Sequence, residues 1–286
     1  MMHHHFVTDL DGTLLRSNAA LSEFTVRTVR EALDKGLVIS YATARSYTSS
    51  NAIVSDIPWK YPIVLFNGAV IWDPNARKVI GGQWLEHSTA NAIIVTGKEF
   101  GLVPLLFALD DADQEKVLHE KLTRTGELQF FNSRPNDPRF NELPLLSCPD
   151  SLRTLIVTYI GRLGELQPLK NAIARTYGNQ IHIHLMKDNY IEDHYFLEIS
   201  HAKANKKEGL RKWAELVGCK LQDITVFGDN LNDTGMFEVA GTRIAVANAH
   251  PDLLELSTAV VESNDEDGVA NYIANINQQL AKQSLL

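Results

Sequence analysis

Cysteine is almost missing from this chain: Cys148 and Cys219 are the two in 286 residues. Two thiols in ordinary surroundings exclude a disulfide framework and a thiolate metal site, and they suit a reducing cytoplasm. Long apolar runs are missing too, since no stretch approaches the ~18 consecutive apolar residues of a spanning helix. The first strand-like run begins at His5, which leaves no room for a signal peptide ahead of it. Positive charge is scarce: 27 Lys and Arg stand against 35 Asp and Glu, a formal net charge of −8. No Lys/Arg run offsets that sign, so nothing attracts nucleic acid over distance. Internal repeats and low-complexity tracts are likewise absent. The expectation is a cytoplasmic protein with neither nucleic acid nor membrane as partner; its oligomeric state is not legible.

Acids at the ends of apolar runs are what the chain does have. His5-Phe-Val-Thr-Asp-Leu-Asp-Gly12 puts Asp9 and Asp11 where a buried-strand pattern breaks at a glycine. A lone Asp-Gly is more often a turn or a helix cap. Here the pattern recurs, because Ile224-Thr-Val-Phe-Gly-Asp229 ends the same way and Asp233 follows one helical turn later. Val38–Thr43, Pro62–Asn67 and Arg243–Asn248 also end in polar groups, the first followed by Arg45 and the second by Gly68. Laid parallel, these five runs would align their polar ends along one sheet edge, where open α/β sheets bind ligands. Ionised carboxylates gathered there repel one another unless a cation intervenes, and Mg²⁺, an oxygen-seeking ion held by one or two carboxylates plus phosphate, is the natural choice.

The order Asp-Leu-Asp-Gly-Thr13, Ala42-Thr-Ala-Arg45, Phe66-Asn-Gly-Ala69, a late lysine and Gly228-Asp-Asn-Leu-Asn-Asp233 resembles the haloacid dehalogenase-like phosphatases, most closely the Cof-type hydrolases. The likeness continues through Ala245-Val-Ala-Asn-Ala249 and Ser263–Val269, at the far end of the chain. The resemblance implies that Asp9 is the nucleophile taking the phosphoryl group and Asp11 the general acid/base. It implies phosphate contacts from Thr43, Lys206, Asn232 and the backbone near Leu10 and Ala44, and a metal site drawn from Asp9, Asp11, Asp229, Asn230 and Asp233. Arg45 and Asn67 then border the substrate. The chain departs from the family at Ala44, where glycine is usual, and this bears on how closely Arg45 approaches. An acid at position 11, where related pumps that preserve the aspartyl phosphate have threonine, favours hydrolysis.

Lys206 lies among surface-type charges, but Asn205 with Glu208 three residues later reads as a helix start, Leu210, Trp213, Leu216 and Val217 as a buried face, and Gly218 as the stop. That places Lys206 in the first turn and leaves Lys207 and Lys212 to solvent. A second helix is read at Phe24–Lys35, stopped at Gly36, and an amphipathic one on Val269, Ile273, Ile276 and Leu280.

The motifs occupy residues 1–83 and 194–286, which together form the predicted Rossmann-like parallel-sheet core of an α/β fold. Residues 84–193 carry their own strand-like runs at Leu102–Leu109, Thr154–Ile160 and Ile181–Leu185, and read as an inserted domain; the resemblance implies a mixed α/β cap that sets substrate specificity. Within it His182 and His184 share one strand face without a third metal ligand nearby in sequence, and Asp110-Asp-Ala-Asp113 lacks the glycine and glutamate of a calcium loop and reads as a charged turn. The functional expectation is a Mg²⁺-dependent phosphatase for a small phosphorylated metabolite, a sugar phosphate first, acting through an aspartyl phosphate. A phosphomutase or phosphotransferase differs from it in the acceptor. A non-catalytic phosphometabolite sensor would need no nucleophile paired with an acid/base.

Overall fold

The computed structural model describes residues 4–188 and 191–283. The chain divides into two compact units, one made of the residues up to Gly82 and from Asn205 onward, the other of Gln83–Ala204. The first begins with β1 (His5–Thr8), α1 (Glu23–Asp34), β2 (Val38–Tyr41), α2 (Tyr47–Val54), β3 (Ile63–Leu65), β4 (Val70–Asp73) and β5 (Lys78–Gly82). The second contains α3 (His87–Glu99), β6 (Leu105–Leu109), β7 (Glu115–His119), α4 (Thr125–Asn132), β8 (Phe140–Glu142), β9 (Arg153–Gly161), α5 (Leu163–Tyr177), β10 (Ile181–Lys187) and β11 (Tyr195–His201). The first unit resumes with α6 (Lys206–Val217), β12 (Ile224–Gly228), α7 (Thr234–Val239), β13 (Thr242–Val246), α8 (Pro251–Leu256), β14 (Ala259–Val261) and α9 (Gly268–Gln283).

The principal sheet of the first unit has the order β14-β13-β12-β1-β2, and every pair is parallel. Its central strands are apolar on both faces, with Phe6, Val7, Val226, Phe227 and Ile244 buried, as a sheet covered on both sides requires. Crossover helices follow their sequence signals. Ser22 caps α1 by accepting from the Thr25 N–H, and the helix buries Thr25, Thr28, Val29, Ala32 and Leu33 at helical spacing. In α6 the buried stripe is Lys206, Gly209, Leu210, Trp213 and Ala214, whereas Leu216, expected inside, is 41% exposed. The stripe is displaced towards the N-terminal end of the helix because Gly209 packs against Val64 and Gly68, a side-chain-free face that periodicity of large apolar residues does not register.

One of the five polar-ended runs is placed differently from expectation. Ile63–Leu65 meets the parallel sheet at a single bridge, Ala42 to Val64, and pairs antiparallel with β4 in a separate sheet of order β3-β4-β5. The register Leu65 to Val70 closes a tight connection through Asn67, whose positive φ permits the turn, and an adjacent hairpin partner displaces a distant parallel one. The fifth parallel strand is β14 instead, three residues long and partly exposed.

In the second unit a six-stranded sheet runs β10-β11-β9-β6-β7-β8, antiparallel except at β7 and β8. Helices α3 and α5 cover one face, where Ile93, Leu106, Val157, Tyr159, Leu169 and Leu197 form the core. On the other face Phe130 of α4 joins Phe107, Phe140 and Phe196 over Leu105, Val117 and Ile160. Residues 194–204, expected in the core, belong to this unit: β11 pairs along its length with β10 on one side and β9 on the other, so it is an interior strand of this sheet. Asp110 sits in the turn after β6 and accepts from the N–H groups of Ala112 and Gln114, a local use of its carboxylate. Among the described residues no helix is long and apolar enough to cross a membrane.

Candidate active site

Parallel pairing of β1 with β12, in the register Thr8 to Phe227, makes Asp9 and Asp229 leave the sheet at the same carboxyl edge. The Asp9 N–H extends the ladder by one bond, donating to the Phe227 carbonyl at 3.0 Å. Beyond Asp9 the chain turns through Gly12 at φ +77°, a left-handed conformation, and a Cβ there would run into the Asp229 carboxylate. Thr13 completes the turn, its hydroxyl donating to Asp229 Oδ1 at 2.8 Å. Asn248, just past β13, fixes the loop from the far side by donating to the Gly12 carbonyl at 2.8 Å.

Lys206 reaches this edge from the first position of α6. Asn205 caps the helix by accepting from the Glu208 N–H at 3.0 Å. The Lys206 side chain is buried, and its Nζ donates to Asp9 Oδ1 at 2.5 Å and to Asp233 Oδ1 at 2.7 Å. The other Asp233 oxygen accepts from the N–H groups of Asp229 and Asn230 at 3.1 and 3.2 Å. Lys207 and Lys212 point outward onto Glu238 and Glu215. Asp9, Asp229 and Asp233 each offer an oxygen within 4.8 Å of the others.

Charge is out of balance here. Three carboxylates gather near one ammonium group; Asp9, Asp233 and Lys206 are buried and Asp229 is half-buried. Burial, which the Lys206 charge only partly offsets and Asp233 and Asp229 reinforce, drives the Asp9 carboxyl well above the usual range. Burial and then Asp233 push Asp229 up to about 6. Burial would push Lys206 down, but Asp233 and Asp9 outweigh it and hold the ammonium protonated. A divalent cation between the carboxylates would relieve this imbalance, and a set of hard oxygens fits Mg²⁺.

The remaining expected residues surround this cluster without joining it. Asp11 is exposed, and both its oxygens take the Arg45 guanidinium, from Nε at 2.7 Å and from a terminal nitrogen at 2.6 Å. Its carboxylate is thus turned to Arg45 and lies outside the three-acid group. Thr43 is fully buried at the end of β2 and its hydroxyl accepts from the Arg45 N–H at 3.1 Å, while Ala44 between them is exposed. Asn232 donates to Asn67 at 3.3 Å, joining the turn after β12 to the turn after β3. Asn230 uses its side chain to accept from the Leu231 N–H at 2.8 Å, and Leu10 is wholly buried with its carbonyl accepting from the N–H groups of Thr13 and Leu15. Thr13 and Asn248 join the site through Asp229 and the Gly12 carbonyl, beyond the residues that the family resemblance implies. Thr13 follows directly on Asp11-Gly12 and Asn248 ends an apolar run, so both stood within reach of the same reasoning.

A family model for haloacid dehalogenase-like hydrolases matches residues 6–273. The chain belongs to that family. Several similar proteins are named as phosphatases, and this haloacid dehalogenase-like hydrolase of the Cof-type group is a phosphoric monoester hydrolase. It is 28% identical over 284 residues to the 5-amino-6-(5-phospho-D-ribitylamino)uracil phosphatase YwtE of Bacillus subtilis, covering 93% of this chain and 95% of that one. The pyridoxal phosphate phosphatase YbhA of Escherichia coli is 23% identical over 265 residues, with 93% and 95% covered. Among solved structures, TM0651 from Thermotoga maritima superposes with a TM-score of 0.79 at 26% identity, covering 96% of this chain and 97% of the other. A haloacid dehalogenase-like hydrolase from Bacteroides thetaiotaomicron gives 0.78 at 21% identity over 96% and 99%.

Proposed function

We propose that this hydrolase is a Mg²⁺-dependent phosphatase of small phosphorylated metabolites, sugar phosphates foremost, with Asp9 as nucleophile. The observation that carries the reading is the cluster of buried Asp9 and Asp233, both bonded to Lys206, with half-buried Asp229 beside them, which holds two more acidic than basic groups. Asp9 and Asp229 would hold the cation. Asp233 has both oxygens committed, to Lys206 and to two backbone N–H groups, and anchors the lysine. Bound Mg²⁺ supplies charge stabilisation to the transferring phosphoryl group. Lys206 uses two of its three donors on carboxylates, leaving one for a phosphate oxygen. Asp9 then attacks phosphorus and forms an aspartyl phosphate. Asp11 protonates the leaving alkoxide and deprotonates the water that cleaves the acyl phosphate, once Arg45 releases its carboxylate. Thr43, Asn232 and the backbone at Leu10 and Ala44 hold the phosphate, with Asn230 beside the metal and Arg45 and Asn67 at the substrate.

The insert Gln83–Ala204 reads as the specificity cap. The relatives named for a ribityl and a pyridoxal phosphate ester suggest monophosphates with polar organic parts. The test is phosphate release from a panel of such esters, with Mg²⁺ and with chelator. Release that needs the metal supports the reading, and full activity in chelator contradicts it.

A further inference from the structure

Residues 245–249 and 263–269 carry two stretches of the family likeness that the acid cluster does not use. Their geometry gives them a task. After β14 the chain turns through a short 3₁₀ helix, Asn264–Glu266, closed as a capping box. The Ser263 hydroxyl donates to the Glu266 carboxylate at 2.7 Å, and the Ser263 N–H donates to it at 3.3 Å. Gly268 ends the turn where a Cβ would run into the Glu262 carbonyl. Asn264 is thereby held facing inward, 4% exposed.

Asn264 joins two other loops. Its side-chain amide donates to the Leu15 carbonyl at 2.9 Å, and its backbone N–H donates to Asn248 Oδ1 at 3.0 Å. Asn248 in turn donates to the Gly12 carbonyl. Two residues further on, the His250 N–H donates to the Asp229 carbonyl at 2.7 Å. The two carbonyls only accept and the Asn264 N–H only donates, so chemistry fixes which way each amide points. Past the turn the attachment continues, with Arg16 on Asp267 and Ser17 on Asp265.

The segment held in this way is the turn 10–15 that carries Asp11. Leu10, Leu14 and Leu15 are buried, whereas Asp11 is exposed, with its carboxylate on Arg45. β1 ends at Thr8, so no strand ladder reaches Asp11. An exposed side chain takes its position from its backbone, and the asparagines hold the peptide groups of Gly12 and Leu15 on the C-terminal side of Asp11.

We infer that Asn264, bonded directly to Leu15 and through Asn248 to Gly12, is a positioning residue for Asp11 that fixes the turn from which the acid/base meets the leaving oxygen. The inference rests on the phosphatase reading, with Asp11 as the acid. Proton transfer demands a donor within hydrogen-bond reach and in line, and small misplacements are costly. An alkoxide needs that proton to depart. A nitrophenolate leaves as a stable anion, so loosening the turn bears on alkyl esters more than on aryl ones.

The test is the ratio of kcat/KM for glycerol 2-phosphate to that for para-nitrophenyl phosphate, measured on the full chain with Mg²⁺. These constants cover the steps up to departure of the alcohol, so their ratio reads protonation of the leaving oxygen. Asn264→Leu keeps the side-chain shape and removes the amide, and the ratio should fall about tenfold, the scale of one lost hydrogen bond. Asn248→Ala, at an exposed position, should lower it in the same direction. Asp11→Asn should lower it further than either. Val269→Ala, in the same segment and 1% exposed, removes packing without touching either amide. Its thermal midpoint should fall while its ratio stays at the wild-type value. An unchanged ratio in both asparagine variants, or an equal fall in Val269→Ala, overturns the positioning role while aryl-ester turnover persists. Should Asn264→Leu fail to fold, Asn248→Ala decides alone. A wild type that leaves the aryl ester intact, or an Asp11→Asn ratio equal to that of the wild type, overturns the reading of the site itself, and this inference with it.

Discussion

Asp9 and Asp11 are separated by one leucine and occupy opposite environments. Asp9 is buried against Lys206, and Asp11 is exposed against Arg45. A nucleophile needs a fixed line of attack, and an acid/base must exchange protons with water, so the two burial states suit the two roles proposed. Lys206 makes the sharpest single-residue prediction. Lys206→Met removes the buried ammonium between Asp9 and Asp233 and leaves the two carboxyls facing each other. Breaking a buried pair from one side costs about 3–5 kcal/mol, so the urea midpoint should drop accordingly and turnover should vanish. Stability close to wild type would show that the carboxylates are not held by this lysine. That Lys206 stands in the first turn of a helix was legible from Asn205 and Glu208, whereas its role at the site was only implied by the family resemblance. That Asp233 would be consumed in holding the lysine and two N–H groups was not, because sequence spacing puts two acids near one cation without showing which oxygens are already taken.

At the scale of elements, the site depends on turns more than on strands. Gly12→Ala would force a left-handed φ on a residue with a Cβ and push that Cβ into Asp229. The cost should be about 1–3 kcal/mol, with a larger proportional loss in phosphate release, because the carboxylate moved is one proposed to hold the metal. Unfolding and turnover measured together check this, and unaltered turnover would remove Gly12 from the account. The strands feeding these turns were readable because β1, β2, β12 and β13 are continuous apolar runs broken by polar residues. β14 was not, since Ala259-Val-Val261 is too short to show a period. β3 has the same look as the parallel strands, and its assignment turned on the nearby Val70–Asp73 segment, a tertiary competition that a run of apolar residues does not encode. β11 was missed because Tyr195–His201 alternates as any strand does, and only its two neighbours reveal which sheet it completes.

Over the whole molecule, the fold joins residues 197 positions apart in sequence, Asp9 and Lys206, and leaves an acid excess at their junction. This excess has a pH signature. Burial and the Asp233 charge push the Asp229 carboxyl up to about 6 in the folded protein, and burial raises Asp9 as well. A carboxyl raised on folding contributes its stability fully below the unfolded value and loses it as pH rises through the folded one. In chelator, this part of the stability should therefore decline between about pH 4 and pH 6, and added Mg²⁺ should raise the thermal midpoint more at pH 7 than at pH 5. An equal Mg²⁺ shift at both values would contradict the charge imbalance. The central claim is that phosphorus is transferred to Asp9, and the most direct measurement is mass analysis of Asp11→Asn quenched in acid after brief reaction with an aryl phosphate and Mg²⁺. Without its acid/base the variant should turn over about 10²–10⁴-fold more slowly, yet an ester with a good leaving group should still load Asp9. The account predicts one phosphoryl group on the peptide containing Asp9, absent when Asp9→Asn is added. No adduct, together with labelled water oxygen entering phosphate in a single turnover without first entering a protein carboxylate, would contradict it.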